Sequence, residues 1–145
     1  MAREFIDVEI GDAGRDAGKI FRITEMTAEQ SEWWALRALS ILVDADTTGE
    51  LEQLGSMMVG ETEKLSTLGV VAIIKLLAKA DPERIRPLWD EMKDCWRLVP
   101  NGDRNMTARL ADNSIEEVST LLTLRMKTLE LHFDFFTRSI QGLKG

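Results

Sequence analysis

Few residues in this chain could do chemistry, and none stands in a pattern that would use it. His132 is the single histidine. At helical spacing its neighbours four residues away are Thr128 and Phe136, and a metal site needs several convergent ligands. A structural or surface role follows. Cys95, the single cysteine, lies beside Trp96 in an apolar run, whereas reactive thiols need an electropositive, partly exposed setting. It reads as buried and inert, and it leaves no internal disulfide to form. Gly14-Arg-Asp-Ala-Gly18-Lys19-Ile20 has the outline of a phosphate-binding loop. It fails because its glycine spacing is one residue short, Ile20 replaces the magnesium-binding hydroxyl, and a strand follows instead of a helix. Asp7, Glu9, Asp12 and Asp16 are carboxylates that a strand and its turn would expose to water. They lack the loop spacing that gathers six oxygens around calcium. The serines have neither a triad motif nor a nucleophile elbow. No catalytic residue, cofactor or metal is therefore expected, and an enzyme is not expected.

The elements that would carry a different function are legible from periodicity. The chain has 145 residues, which suits one domain with a sizeable core. Its net charge of −7, with basic residues scattered, argues against nucleic acid or an anionic membrane as partner. The longest apolar run, Leu68 to Ala78, contains Lys75 and falls short of the roughly 18–20 residues that span a bilayer. The first residues, Met1-Ala-Arg-Glu4, lack an apolar signal region. A cytosolic protein is expected.

Phe5 to Ile10 alternates, with Ile6, Val8 and Ile10 on one face, as a strand does. Glycines between Gly11 and Gly18 suit a turn, and Lys19 to Thr24 would return as a second strand. Such a hairpin is marginal alone and must pack on helices or another chain. From Thr27 the period becomes helical. Thr27-Ala-Glu-Gln30 reads as a capping box, and the helix running to about Val43 is apolar round most of its girth. Asp44 to Gly49 reads as a loop, Glu50 to Met58 as a short helix, and Glu61 to Ala80 as a buried helix. Asp81-Pro82 starts another helix, with Pro87 forcing either a fresh start or a kink. Its inward stripe would be Leu88, Trp89, Met92, Cys95, Trp96 and Val99, ending at the turn Pro100-Asn-Gly102. Met106 to Leu110 reads as a short extended stretch. Ser114-Ile-Glu-Glu117 is a second capping box.

The helix it would open, Asn113 to Ile140, carries more apolar surface than one contact can use. One stripe comprises Ile115, Val118, Leu122, Met126, Leu129, Phe133, Phe136 and Ile140. A second comprises Leu121, Leu124, Leu131 and Phe135. Such a helix must bury both or use one to hold something else. The first stripe is read as core-facing and the second as the contact. Trp33 and Trp34, 100° apart on a helical wheel, cannot both face the core, and Trp34 joins the contact set. The expected partner-binding residues are thus Leu121, Leu124, Leu131, Phe135 and Trp34.

Several pieces, in order, resemble the tail assembly chaperones of long-tailed (siphovirus-type) bacteriophages. They are Gly11-Asp-Ala-Gly-Arg-Asp-Ala-Gly18-Lys-Ile-Phe-Arg-Ile23-Thr-Glu-Met26, the Trp33-Trp34-Ala-Leu36-Arg-Ala-Leu39 helix, Pro87-Leu-Trp-Asp-Glu-Met92, and Asp112-Asn-Ser-Ile-Glu-Glu-Val118 leading through Leu124-Arg-Met126 to His132. The segment Asp44 to Ala80 contributes little to the likeness. The resemblance implies a mainly α protein made in the host bacterial cytoplasm and absent from the mature virion. It would bind the tape measure protein, keep it soluble and help recruit tail tube subunits. Self-association is also expected. The expected architecture is one domain over residues 1–145, a bundle of four to five helices (27–145) with an N-terminal β-hairpin (1–26). The alternative function is a structural tail protein, a tube or completion subunit retained in the particle.

Overall fold

The structure, a computed structural model, describes residues 3–11, 13–45, 75 and 78–144, with side chains on the last helix described as far as His132. The alternating N-terminal segment forms strands β1 (Phe5–Glu9) and β2 (Ile20–Thr24), paired antiparallel with Ile6 opposite Ile23 and Val8 opposite Phe21. Positive φ at Gly14 and Gly18 lets the connection turn. Three α-helices follow among the described residues, α1 (Ala28–Ala45), α2 (Pro82–Met92) and α3 (Val118–Lys144). The expected start of α1 is observed, since the Thr27 hydroxyl accepts the Gln30 backbone N–H at 3.2 Å. Asp81 caps α2 through the Glu83 N–H, with Pro82 in its first turn and Pro87 inside one helix instead of between two. Asp44 and Ala45, expected in a loop, end α1. The readings for 46–74 lie outside the described residues.

The expected helical bundle is not what forms. A third strand, β3 (Trp96–Val99), lies inside the region read as helical body and pairs with the free edge of β2. The described residues form a mixed architecture of three helices and a three-stranded antiparallel sheet. The reason is local. Phe21 and Ile23 are both fully buried on β2, and at such a buried strand the backbone groups on the edge away from β1 need partners of their own. Trp96-Arg-Leu-Val99 supplies the partner, with Trp96 and Val99 buried and Arg97 exposed. A short 3₁₀ turn, Lys93–Cys95, changes helix into strand. The expected turn at Pro100–Gly102 follows, with Asn101 and Gly102 at positive φ. The extended stretch after it meets β3 in a single bridge, Leu98 with Ala108.

The sheet's inner face and α3 share the main core, built from Val8, Phe21, Ile23, Met92, Trp96, Leu124 and Leu131 among others. A second cluster joins α1 to α2 through Ala38, Ile41, Leu42, Ile85 and Leu88. The opposite face of the sheet, where Phe5, Ile20 and Val99 stand among polar residues, is tied by a two-pronged pair, with Arg22 Nε and Nη2 donating to the two Asp7 oxygens at 2.8 and 3.1 Å.

Candidate functional site

The long-helix contact surface expected from the sequence is where the structure departs furthest from expectation. Leu124 is fully buried and Leu131 is 7% exposed, both in the main core, while Leu121 is half-buried against it. Conversely Leu122 is 56% and Val118 70% exposed. The assignment of faces is reversed at these positions, although Leu129 of the first stripe is buried as expected. The cause is a polar lining that an apolar count ignores. Thr128, almost fully buried, donates from its hydroxyl to the Leu124 carbonyl at 2.6 Å and accepts the Trp96 indole N–H at 2.7 Å. Thr120 and Thr128 share the buried face with Leu124. Because their hydroxyls are satisfied, that face can pack against the sheet. Phe135 lies beyond the described side chains.

Helix α3 starts at Val118, four residues after the expected cap. Ser114 instead closes a turn, its hydroxyl accepting the Ala111 N–H. The N–H groups of Glu116 and Glu117 are taken by Asp16, from the hairpin connection. Asp16 was expected in water and is 1% exposed. Lys19 Nζ donates to Asp16 Oδ1 at 2.9 Å and to the Ser114 carbonyl at 3.0 Å. The loop that resembled a phosphate cradle is thus occupied by an internal carboxylate. Asp7, also expected in water, is 8% exposed in its side chain and bonded to Arg22.

Three further titratable groups are buried or half-buried within the described fold. His132 Nε2 accepts the Met26 N–H at 2.9 Å, and its Nδ1 faces the Thr128 carbonyl at 2.7 Å, which requires a neutral ring protonated at Nδ1. Burial lowers its pKa. Burial likewise pushes the Cys95 thiol up to about 12, away from any reactive thiolate. Arg125, 7% exposed, donates to the Trp89 carbonyl at 2.8 Å and lies over the Trp89 and Trp96 rings. Burial lowers its pKa to about 10, against the opposing charge of Asp90. It borders a cleft of about 440 Å3 walled mainly by Ala80, Pro82, Ile85 and Trp89. Among the described residues no group of three His, Cys, Asp or Glu side chains is placed to hold a metal ion. No helix there is long and apolar enough to cross a membrane.

What stands out is the outward face of α1. Its inner face, Ser31, Ala38, Ile41 and Leu42, is buried. Opposite it Trp33, Leu36, Leu39 and Val43 are 59%, 54%, 50% and 56% exposed. At spacings of three, four and seven they form one row. Trp34, the expected contact residue, instead packs between the two cores, with its indole N–H donating to the Leu88 carbonyl at 3.1 Å. Its neighbour Trp33 is the outward one, and it is held in place. The Arg37 guanidinium lies 5.3 Å from its ring centroid and pairs with Glu91 of α2. A groove of about 280 Å3 between α1 and α2, lined by Arg37, Ser40, Ile41 and Leu88, runs beside the row. Chemically, this surface can bury apolar side chains around a fixed aromatic anchor.

Comparison with family models, with curated proteins and with solved structures finds no match for this chain.

Proposed function

We propose that this chain is a protein-binding factor without catalytic chemistry, a phage tail assembly chaperone that binds the tape measure protein. It would keep that client soluble and help bring tail tube subunits to it, working in the host cytoplasm and leaving before the virion is complete. The sequence resemblance suggests the family. The row of Trp33, Leu36, Leu39 and Val43 on α1 carries the reading, because these four large apolar side chains lie in register on one helix, half or more exposed and outside both core clusters of the described residues. A long helical client with apolar seams would lay such a seam along them. Each side chain covered contributes about 1.5–3 kcal/mol before ordering costs, and several copies along one client would add by multivalency.

Co-expression with the tape measure protein tests this. The wild-type chain should keep the client in the soluble fraction, and a Leu36→Glu, Val43→Glu variant of equal thermal stability should not. A client that stays equally insoluble with and without the chain would refute the reading. Mass spectrometry of purified virions should find the chain absent, and abundant copies there would point to a structural tail subunit.

A further inference from the structure

We propose that the outward face of α1 selects a helix whose apolar seam is flanked by Lys or Arg, and that it does not pair with a second copy of this chain. The proposal rests on α1 being a helix-docking face and adds the charge of its partner. Glu29 and Glu32 stand on the same face as the apolar row, four residues before Trp33 and Leu36 respectively. Both are exposed, and neither has an ion-pair partner among the described residues. Glu29 is where any helix N-terminus favours a carboxylate, but Glu32 lies beyond the first turn, where that effect has faded.

The cations nearby are already committed. Arg37 is bonded to Glu91, and Arg84 donates to Asp44 at 2.8 Å. Two copies joined through this row would therefore meet badly. Parallel pairing sets Glu29 and Glu32 against their own equivalents. Antiparallel pairing sets them against the Asp44 end, where Arg84 is taken. A partner with basic flanks meets the two carboxylates directly, and the chain's net charge of −7 draws it in over longer range.

Two synthetic amphipathic peptides with the same Leu/Ala seam, one flanked by Lys and one by Glu, test this against the full chain by fluorescence anisotropy. At low ionic strength the Lys-flanked peptide should bind at least about tenfold more tightly, and the gap should narrow with added salt. Glu29→Lys with Glu32→Lys should invert the preference. Leu36→Glu, or Val43→Glu as a second variant, should abolish binding of the Lys-flanked peptide while adding negative charge, which nonspecific attraction would reward. Equal binding of both peptides overturns the charge selection and leaves the docking reading standing. Undiminished binding by Leu36→Glu and Val43→Glu, or no binding of either peptide to wild type, overturns both. A dimer in sedimentation that Leu36→Glu dissociates makes a second copy the occupant and overturns the proposal.

Discussion

Asp16 and Glu117 tie the hairpin connection to the start of α3, each carboxylate accepting a backbone N–H from the other segment. The Asp16 carboxylate accepts the Glu117 backbone N–H at 2.9 Å, and the Glu117 carboxylate accepts the backbone N–H of Arg15 at 3.0 Å. The hairpin connection thereby caps a helix that begins about a hundred residues later, and the helix closes the connection in return. Burial alone would raise the Asp16 pKa, but hydrogen bonds from Lys19, Thr120 and the Glu116 and Glu117 amides hold it far below the usual carboxylate range. Asp16→Ala strands two backbone donors and takes from Lys19 its buried carboxylate partner, so a loss of about 3 kcal/mol is expected in urea unfolding at pH 7. Because the folded-state pKa is depressed, the stabilisation is present above about pH 4 and is lost as pH falls. Asp16→Asn should therefore flatten the acid limb of a stability profile.

The two faces of α3 should respond oppositely to charge. Leu131→Glu places a carboxylate in the main core and should unfold the domain or cost several kcal/mol. Leu122→Glu, at a position 56% exposed, should stay within about 0.5 kcal/mol of wild type. Thermal melts of the two variants decide between this arrangement and its reverse.

His132 introduces a dependence at milder pH. Its pKa is lowered, first by burial, with the Thr128 carbonyl and Glu25 opposing. Stability from the neutral ring is complete above about pH 6.5 and declines as pH falls towards the folded-state value. Protonation turns Nε2 into a donor facing the Met26 N–H donor. His132→Gln should remove this decline and leave only the carboxylate limb, as pH-resolved denaturant midpoints would record.

The Trp96–Thr128 hydrogen bond is open to a double-mutant cycle. Thr128→Val leaves a buried indole N–H without its acceptor and should cost about 1–3 kcal/mol. Trp96→Phe removes the donor along with part of the core. If the bond behaves as the geometry indicates, the pair should be less damaging together than the sum of the single changes, by about 1 kcal/mol.

How much of this was readable in the sequence depended on whether the deciding partner was near in the chain. Ile6, Val8 and Ile10 alternate, Thr27 caps, and Asp81-Pro82 starts a helix, so β1, α1 and α2 were legible from their own residues. Strand β3 was not, because Leu88, Trp89, Met92, Cys95, Trp96 and Val99 keep helical spacing across a helix, a turn and a strand. What breaks the helix is the demand of β2 for a partner on its second edge. Asp16 looks like any turn carboxylate until Glu116 arrives beside it. Trp34 is the expected contact residue and it is Trp33 that faces outward, since α1 is apolar round most of its girth and only the position of α2 decides which part is covered.

The sheet also imposes an order on synthesis. Strand β2 ends at Thr24 and β3 begins at Trp96, so 72 positions separate the two (96 − 24). At translation rates of about 5–20 residues per second, the hairpin waits roughly 4–14 seconds on the ribosome before its third strand exists. During that interval the second edge of β2, flanked by Phe21 and Ile23, is open to any other strand. Polysomes carrying many such nascent chains would hold these edges close together until Trp96–Val99 emerges to cover them.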